Sequence, residues 1–479
     1  MMVDPRPPST PAQVDNAPGS VGRRGFVRKA GFYAGAAVLA PSLSGLLACG
    51  RSSETKRQSK SAAGYGPLVE VGPEIALPAG FHYTVLSVEG QLMSDGALTP
   101  RAHDGMVVFP RTDRVIRLVR NQEDSTLPGR TAPLVSPDLA YDPLAGGGTT
   151  TLDVRIGSDG RPTLERDFVS LGGTLNNCAG GPTPWGSWLS CEESTQGTRR
   201  GWSVPHGYIF EVRVGADAPE KAVPLRAMGR FTHEAIAVDP RTGFVYETED
   251  GPQSLGDGQR RSGFYRFRPK TPGILSEGGV LEMLAVRGRP QVDMRVNQRV
   301  GEWLDVEWLP IRDPDPVDAG REPAAVFFQG YTNGAARFSR LEGCWFDDDS
   351  VYFHDSTGGD AELGQVWRYV PESEALVLVF ESPSIDVLNR PDNITVSPRG
   401  GILICEDNSG VTHLRGLTPD GEIFPFAQNV LNNREVAGAC FSPNGQTLFV
   451  NIQGDGTSDG PGNLSYTLAI WGPWEEGAL

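Results

Sequence analysis

Long apolar helical stripes are missing from this chain of 479 residues, and so are several short signatures of known chemistry. No phosphate-cradling G-x-x-x-x-G-K-[ST] loop, no H-E-x-x-H, no paired C-x-x-C and no EF-hand loop occurs. Histidine is scarce: the 6 in the chain are never paired at ligand spacing, which argues against zinc. Positive charge is short as well. Lys and Arg total 43 against 59 Asp and Glu, a formal net charge of -16, and no basic run stands out beyond the first thirty residues. That balance argues against nucleic acid as a partner, since its phosphates call for Lys and Arg patches. Cysteine is limited to 6, and an exported domain of this size has no need of disulfides to hold its core.

What the chain has instead is glycine and proline, 60 and 39 of them, placed at turns between short alternating strands. One grammar recurs. An acid opens a strand, a tight turn follows, and a second strand closes on another acid. The clearest copies are His233-Glu234-AIAVDPRTGFVYET-Glu249-Asp250, Leu341-Glu342-GCWFDDDSVYFH-Asp355 and Pro391-Asp392-Asn393-ITVSPRGGILIC-Glu406-Asp407. A further copy, Asn177-Cys178-AGGPTPWGSWLSCE-Glu193, has a cysteine in the opening place. Glu435-VAGACFSPNGQTLFV-Asn451 and Asp104-GMVVFPRTDRVIRLVR-Asn121 are looser. Third strands follow at 207–212, 263–269 and 365–370.

Six openers predict an all-β fold, a six-bladed β-propeller with insertions over one face. Residues 129–170 read as irregular connection plus outer strands. Residues 271–335, with Glu302, Trp303, Asp305 and Glu307, read as the insertion lying over a face. Inner strands lining a central channel would bring the opening and closing acids to one mouth. Like charges do not gather without a counter-ion, so the grammar predicts bound metal. Carboxylates and amides at converging strand ends suit calcium, and ferric iron also accepts anionic oxygen together with a thiolate. His233 and His354 neighbour acids of the repeat but face the other side of their strands, so they read as packing residues.

The amino-terminal residues read as targeting sequence. Gly22-Arg23-Arg24-Gly25-Phe26-Val27-Arg28 resembles a twin-arginine export signal, with Gly22 where that pattern has Ser or Thr. Leu46-Leu47-Ala48-Cys49 is similar to a bacterial lipobox, whose cysteine is lipidated; ordinary cleavage near Ala48 is the alternative. With Cys49 as anchor, Cys178, Cys191, Cys344, Cys405 and Cys440 remain, an odd number. The expected organisation is a signal peptide over 1–49, a flexible tether over 50–64 and a single catalytic propeller over 65–479. Export to the periplasm or an extracytoplasmic membrane surface is expected, with membrane contact only through the lipid anchor and the twin-arginine machinery as a partner.

The string from Asn177 to Glu193, NCAGGPTPWGSWLSCEE, resembles the signature of PhoX-type alkaline phosphatases. Gly229-Arg230-Phe231-Thr232-His233-Glu234 is similar to that family's next motif, and the stretch from Cys440 to Gln453 to its last. The resemblance spans about residues 100–455. It implies a six-bladed propeller, twin-arginine export and an active site with iron and calcium ions, Fe3+ and Ca2+. By that resemblance Cys178, Glu193 and Glu234 hold iron. Glu249, Asp250, Asp392, Asn393, Glu406 and Asp407 match acidic positions that serve the metal cluster. Arg340, followed by Leu341 and Glu342, matches an Arg-Pro-Glu motif whose arginine grips phosphate. The chain departs from the pattern at Gly454-Asp455-Gly456, where the family continues into His-Pro-Gly.

The expected reaction is metal-assisted hydrolysis of a phosphate monoester, with Cys178, Arg340 and Glu342 at the reacting centre. Two rivals stay open on sequence alone: a calcium-dependent lactonase, phosphodiesterase or triesterase on the same scaffold, and a non-catalytic calcium-stabilised binding module at the cell surface.

Overall fold

Strands rich in Val, Ile, Phe and Tyr, separated by glycine- and proline-bearing turns, build almost the whole of the computed structural model. It describes residues 64–157, 160–251, 260–454 and 460–479. The leader and nearly all of the tether lie outside the described residues. Everything described falls in one compact unit, Ser59–Leu479. Among the described residues there are twenty-six strands and one short α-helix, Ala325–Thr332.

The strands form antiparallel sheets of six, three, nine, four and four members. Each sheet contains at least one run that starts from a short inner strand and steps outward by hairpins. The inner strands are, in chain order, His103–Pro110, Asn177–Pro182, His233–Val238, Leu341–Asp347, Pro391–Val396 and Val436–Phe441. Each lies against the next, and the sixth returns to the first. The result is a closed, all-β, propeller-like ring. The ring is tied by its ends: the early strand His82–Val88 is the outer member of the last sheet, pairing with Tyr466–Trp471. Tyr65 adds a second tie, its hydroxyl donating to the Leu479 carbonyl at 2.9 Å.

The nine-stranded sheet joins two runs through the strand Trp303–Pro310. Its one edge pairs with Gly279–Val286 and its other with Ala375–Glu381, so it bridges two outer edges. The expected insertion over a face is therefore corrected here. Trp303, Asp305 and Glu307 sit on a rim strand, because alternation along 303–310 gives that segment a buried side of its own. Residues 147–156 and 162–174 form the two long outer strands expected after the irregular stretch.

The six inner strands share one irregularity. In every inner hairpin the register slips by one residue, between His103 and Met106, Asn177 and Gly180, His233 and Ile236, Leu341 and Cys344, Pro391 and Ile394, and Ala437 and Cys440. A β-bulge re-aims the side chain at the slip. The first slipped residues are Asp104, Cys178, Glu234, Glu342, Asp392 and Gly438. Five of the six bulges thus carry the opening acid or thiol of the repeat. At four of these five the next residue is glycine or alanine, Asn393 being the exception, because neighbouring strands nearly touch there. A Cβ on Gly105 would come within 2.5 Å of the Ala179 Cα, and one on Gly438, at φ +61, within 2.4 Å of the Asp104 carbonyl oxygen.

Candidate metal centre at the hub

The bulged side chains meet at the centre of the ring. Asp104, Glu123 and Cys178 place ligand atoms within 4.8 Å of one another, as do Cys178, Glu193 and Glu234. Glu234, Glu342 and Asp392 form a third such group, and Asp392, Asp407 and Glu435 a fourth. Cys178, Glu234 and Asp392 each belong to two groups, so the four make one continuous row of carboxylates with a single thiol. Cys178 Sγ donates to Glu234 Oε1 at 3.0 Å. Gln453 Nε2 reaches Glu123 Oε2 at 2.7 Å and Asp104 Oδ2 at 3.1 Å, and Asn176 Nδ2 links Glu193 to Glu123.

Protein groups leave this row unsatisfied. Asp104 Oδ1 and Glu234 Oε2 are buried without a hydrogen-bond partner among the described residues. Burial first, and then the neighbouring carboxylates, hold Asp104, Glu193, Glu234 and Glu435 well above the usual carboxylate range. The same causes push Asp392 up to about 7, despite the nearby Arg340. The Cys178 thiol is raised by burial and then by Asp104 and Glu234. Arg340, beside Glu342, offsets only a small part of this negative charge. Hard multivalent cations offset the rest, and a donor set of carboxylates plus one thiolate fits calcium and ferric iron.

The sequence also grouped Glu249 and Glu406 with the cluster, and the structure puts both elsewhere. Glu249 accepts from the Gly263 N–H at 2.9 Å and the Tyr265 hydroxyl at 2.7 Å. Glu406 accepts from the His413 N–H at 3.0 Å and Arg415 Nε at 2.9 Å. Each locks its own sheet's third strand. The reason is the two-residue period of a strand: of two successive closing acids, only one can face the hub. Glu193 and Asp407 are the hub-facing members of their pairs, while Glu192 receives the Gly207 and Tyr208 N–H groups. Asn393 turns to its neighbours, accepting from the Gly438 N–H at 2.5 Å and donating to Asp392.

Sequence reasoning left out Asp104, Glu123 and Glu435 as ligands, although Asp104 and Glu435 opened the looser copies. Glu123 lies just past Gln122, in register with Glu193. Reading the closing pairs against one another exposes it. Asp250 lies outside the four groups. Its carboxylate is held by Arg340, Nε and Nη2 both at 3.0 Å. Arg340 Nη2 also lies 2.9 Å from Glu342 Oε1. His233 and His354 are buried and belong to none of the four groups.

Ring and hub define a propeller-like protein with a buried acidic centre built for multivalent cations. The model of the family described as alkaline phosphatase PhoX matches residues 63–456. The chain belongs to the PhoX alkaline phosphatase family, and is by that membership a phosphatase. Among solved structures it is similar to Pseudomonas fluorescens PhoX in complex with vanadate, a transition state analogue, with a TM-score of 0.63 and 19% identity over 85% of this chain and 97% of that one. A luciferin-regenerating enzyme aligns over 82% of this chain and 96% of its own at 11% identity and a TM-score of 0.42. A gluconolactonase from Xanthomonas campestris aligns over 85% and 100% at 14% identity and 0.40. Among curated proteins, none matches this chain in sequence.

Proposed function

We propose that this chain is an exported, metal-dependent phosphatase that hydrolyses phosphate monoesters with an iron and calcium cluster at the mouth of a six-bladed propeller. The carrying observation is the continuous row of four ligand groups, each drawing on different inner hairpins of the ring. We assign one blade to each inner strand, the nine-stranded sheet being two blades fused at their outer edges. Cys178, Glu193 and Glu234 make the iron subsite, since theirs is a group containing the thiol. The all-carboxylate groups around Asp392 make calcium subsites, with Asp104 and Glu123 adjoining Cys178. Cations bound there make an attacking water easier to deprotonate near neutral pH and offset charge on the phosphoryl group.

The chain's own residues supply the rest. Arg340 presents a permanent, planar cation beside the row, and its Nη1, which neither Asp250 nor Glu342 holds, is the nitrogen left to meet a phosphoryl oxygen. Asp250 and Glu342 hold that guanidinium in place and keep it protonated. Gln453 and Asn176 hold Asp104, Glu123 and Glu193 in orientation. The twin arginines at Arg23-Arg24 and the lipobox at Cys49 support export to the periplasm or an extracytoplasmic membrane surface. Among the described residues no helix is long and apolar enough to cross a membrane.

A chromogenic phosphomonoester assay tests the reading. Protein purified with its metals hydrolyses the ester, and Cys178→Ala and Glu234→Gln each lose both activity and bound metal. Absence of hydrolysis above background by the metal-loaded wild type rejects it. Side-by-side assays with a lactone, a phosphodiester and a phosphotriester separate the monoesterase from its enzymatic rivals.

A further inference from the structure

A bulge frees a peptide carbonyl from the strand ladder, and a buried carbonyl without a partner is costly. At four of the six bulges the second strand of the preceding hairpin supplies that partner, always in the same direction around the ring. Asn121 Nδ2 donates to the Cys178 carbonyl at 3.0 Å and to the Ala179 carbonyl at 2.7 Å. Thr248 Oγ1 donates to the Glu342 carbonyl at 2.5 Å, and His354 Nδ1 to the Asp392 carbonyl at 2.9 Å. Asn451 Nδ2 donates to the Asp104 carbonyl at 2.5 Å, across the join between the last hairpin and the first. All four donors are fully buried. Cys178, Glu342, Asp392 and Asp104 each place their side chain in a hub group.

The four donors share one place in the register. Each stands one residue before the partner of the first residue of its own inner strand. Those partners are Gln122 for His103, Glu249 for His233, Asp355 for Leu341 and Ile452 for Val436. The same rule puts Cys191 and Cys405 at this place in the two remaining hairpins. The donors are themselves held. Asn121 Oδ1 accepts from Trp188 Nε1 at 2.8 Å and from Ser190 Oγ at 2.9 Å. Asn451 Oδ1 accepts from Thr467 Oγ1 at 2.6 Å, and Thr248 Oγ1 from the Ala235 N–H at 3.0 Å. A carbonyl pinned in this way fixes the peptide plane at the bulge, and with it the direction in which the ligand side chain leaves the strand.

We propose that Asn121, Thr248, His354 and Asn451 are positioning residues of the metal centre, each aiming a ligand of the following hairpin by holding its main-chain carbonyl. The inference rests on the metal-centre reading above and extends it to residues outside the ligand groups. His354, which the sequence marks only as a packing residue, thereby serves the hub. Thr248 and His354 hold Glu342 and Asp392, two members of one all-carboxylate group, so the loss of either donor falls on calcium.

Titration of the metal-loaded protein with a calcium chelator is the test, with retained calcium read by elemental analysis and fold by circular dichroism. Thr248→Val keeps the shape of the side chain and removes the donor. It is expected to weaken calcium binding about 10- to 100-fold, the usual effect of losing a group that orients a ligand. Thr248→Ser keeps the hydroxyl and holds calcium as wild type does. His354→Leu repeats the loss at the next hairpin. Ser397→Ala removes another buried hydroxyl, which donates to the Ala478 carbonyl at 3.2 Å just past the far end of the strand Pro391–Val396, and keeps wild-type calcium binding. Unchanged affinity in Thr248→Val or His354→Leu, equal weakening in Ser397→Ala, failure of Thr248→Ser to restore binding, or loss of fold before loss of calcium overturns the assignment. A wild type that holds no calcium overturns the calcium reading of the hub itself, and the positioning role with it.

Discussion

At the scale of single residues, position along a strand separates acids that look equivalent in the sequence. Glu192 and Glu193 are adjacent and chemically alike, yet Glu192 receives two backbone N–H groups while Glu193 joins the hub. Glu193→Gln is expected to lower metal content with little loss of fold stability in metal-free protein. Glu192→Gln is expected to cost about 2–3 kcal/mol of stability, because charge-assisted bonds to the third strand are lost. Elemental analysis and thermal melts of the two variants check this pair of outcomes. The hub carboxyls also carry protons that cations must displace. Their affinities for protons are raised by burial and mutual repulsion, to about 7 for Asp392, so cation affinity rises with pH and binding releases protons. Calorimetric calcium titrations in buffers of different ionisation heat measure that release, and a proton count of zero contradicts it.

At the scale of elements, the bulge turns a repeated motif into a site. A regular inner strand would send alternate side chains into the neighbouring sheets; a slip at the same point in six hairpins turns five ligands inward instead. Small residues let the strands approach. Gly105→Ala forces its Cβ against Ala179 backbone, so the expected cost is about 1–3 kcal/mol with reduced metal content, read from melting temperature and elemental analysis. Loops are latched as well. His206 is fully buried between Glu192 and Asp142, at 2.7 and 3.3 Å. Burial opposes its charge, but the two carboxylates outweigh burial and push it up to about 9. Its folded value lies above its unfolded 6.5, so its stabilisation is complete below pH 6.5 and fades as pH rises through 9. The amount is on the order of 3 kcal/mol. Denaturant titrations at pH 6 and pH 10 are expected to show this loss in wild type, and a smaller one in His206→Gln.

At the scale of the whole molecule, the sequence made the hairpin array readable because opener, turn and closer recur in order. It also made Cys178, Glu193, Glu234, Asp392 and Asp407 readable as a converging set. It misassigned Glu249 and Glu406, since nothing in a pair of adjacent acids says which one faces inward until the ladder register is known. Glu123 was hidden because the copy around it looked closed at Asn121. The bridging strand 303–310 was hidden too, because its partners lie in two separate sheets and no local pattern announces either one. Each miss concerns pairing between distant strands, which is set by tertiary register. The convergence itself is the central claim. Elemental analysis of the protein, purified without chelator, tests it most directly. Iron together with calcium, bound in whole-number ratios and lost in Glu234→Gln, is the predicted result; a wild-type protein that carries no multivalent cation would contradict it.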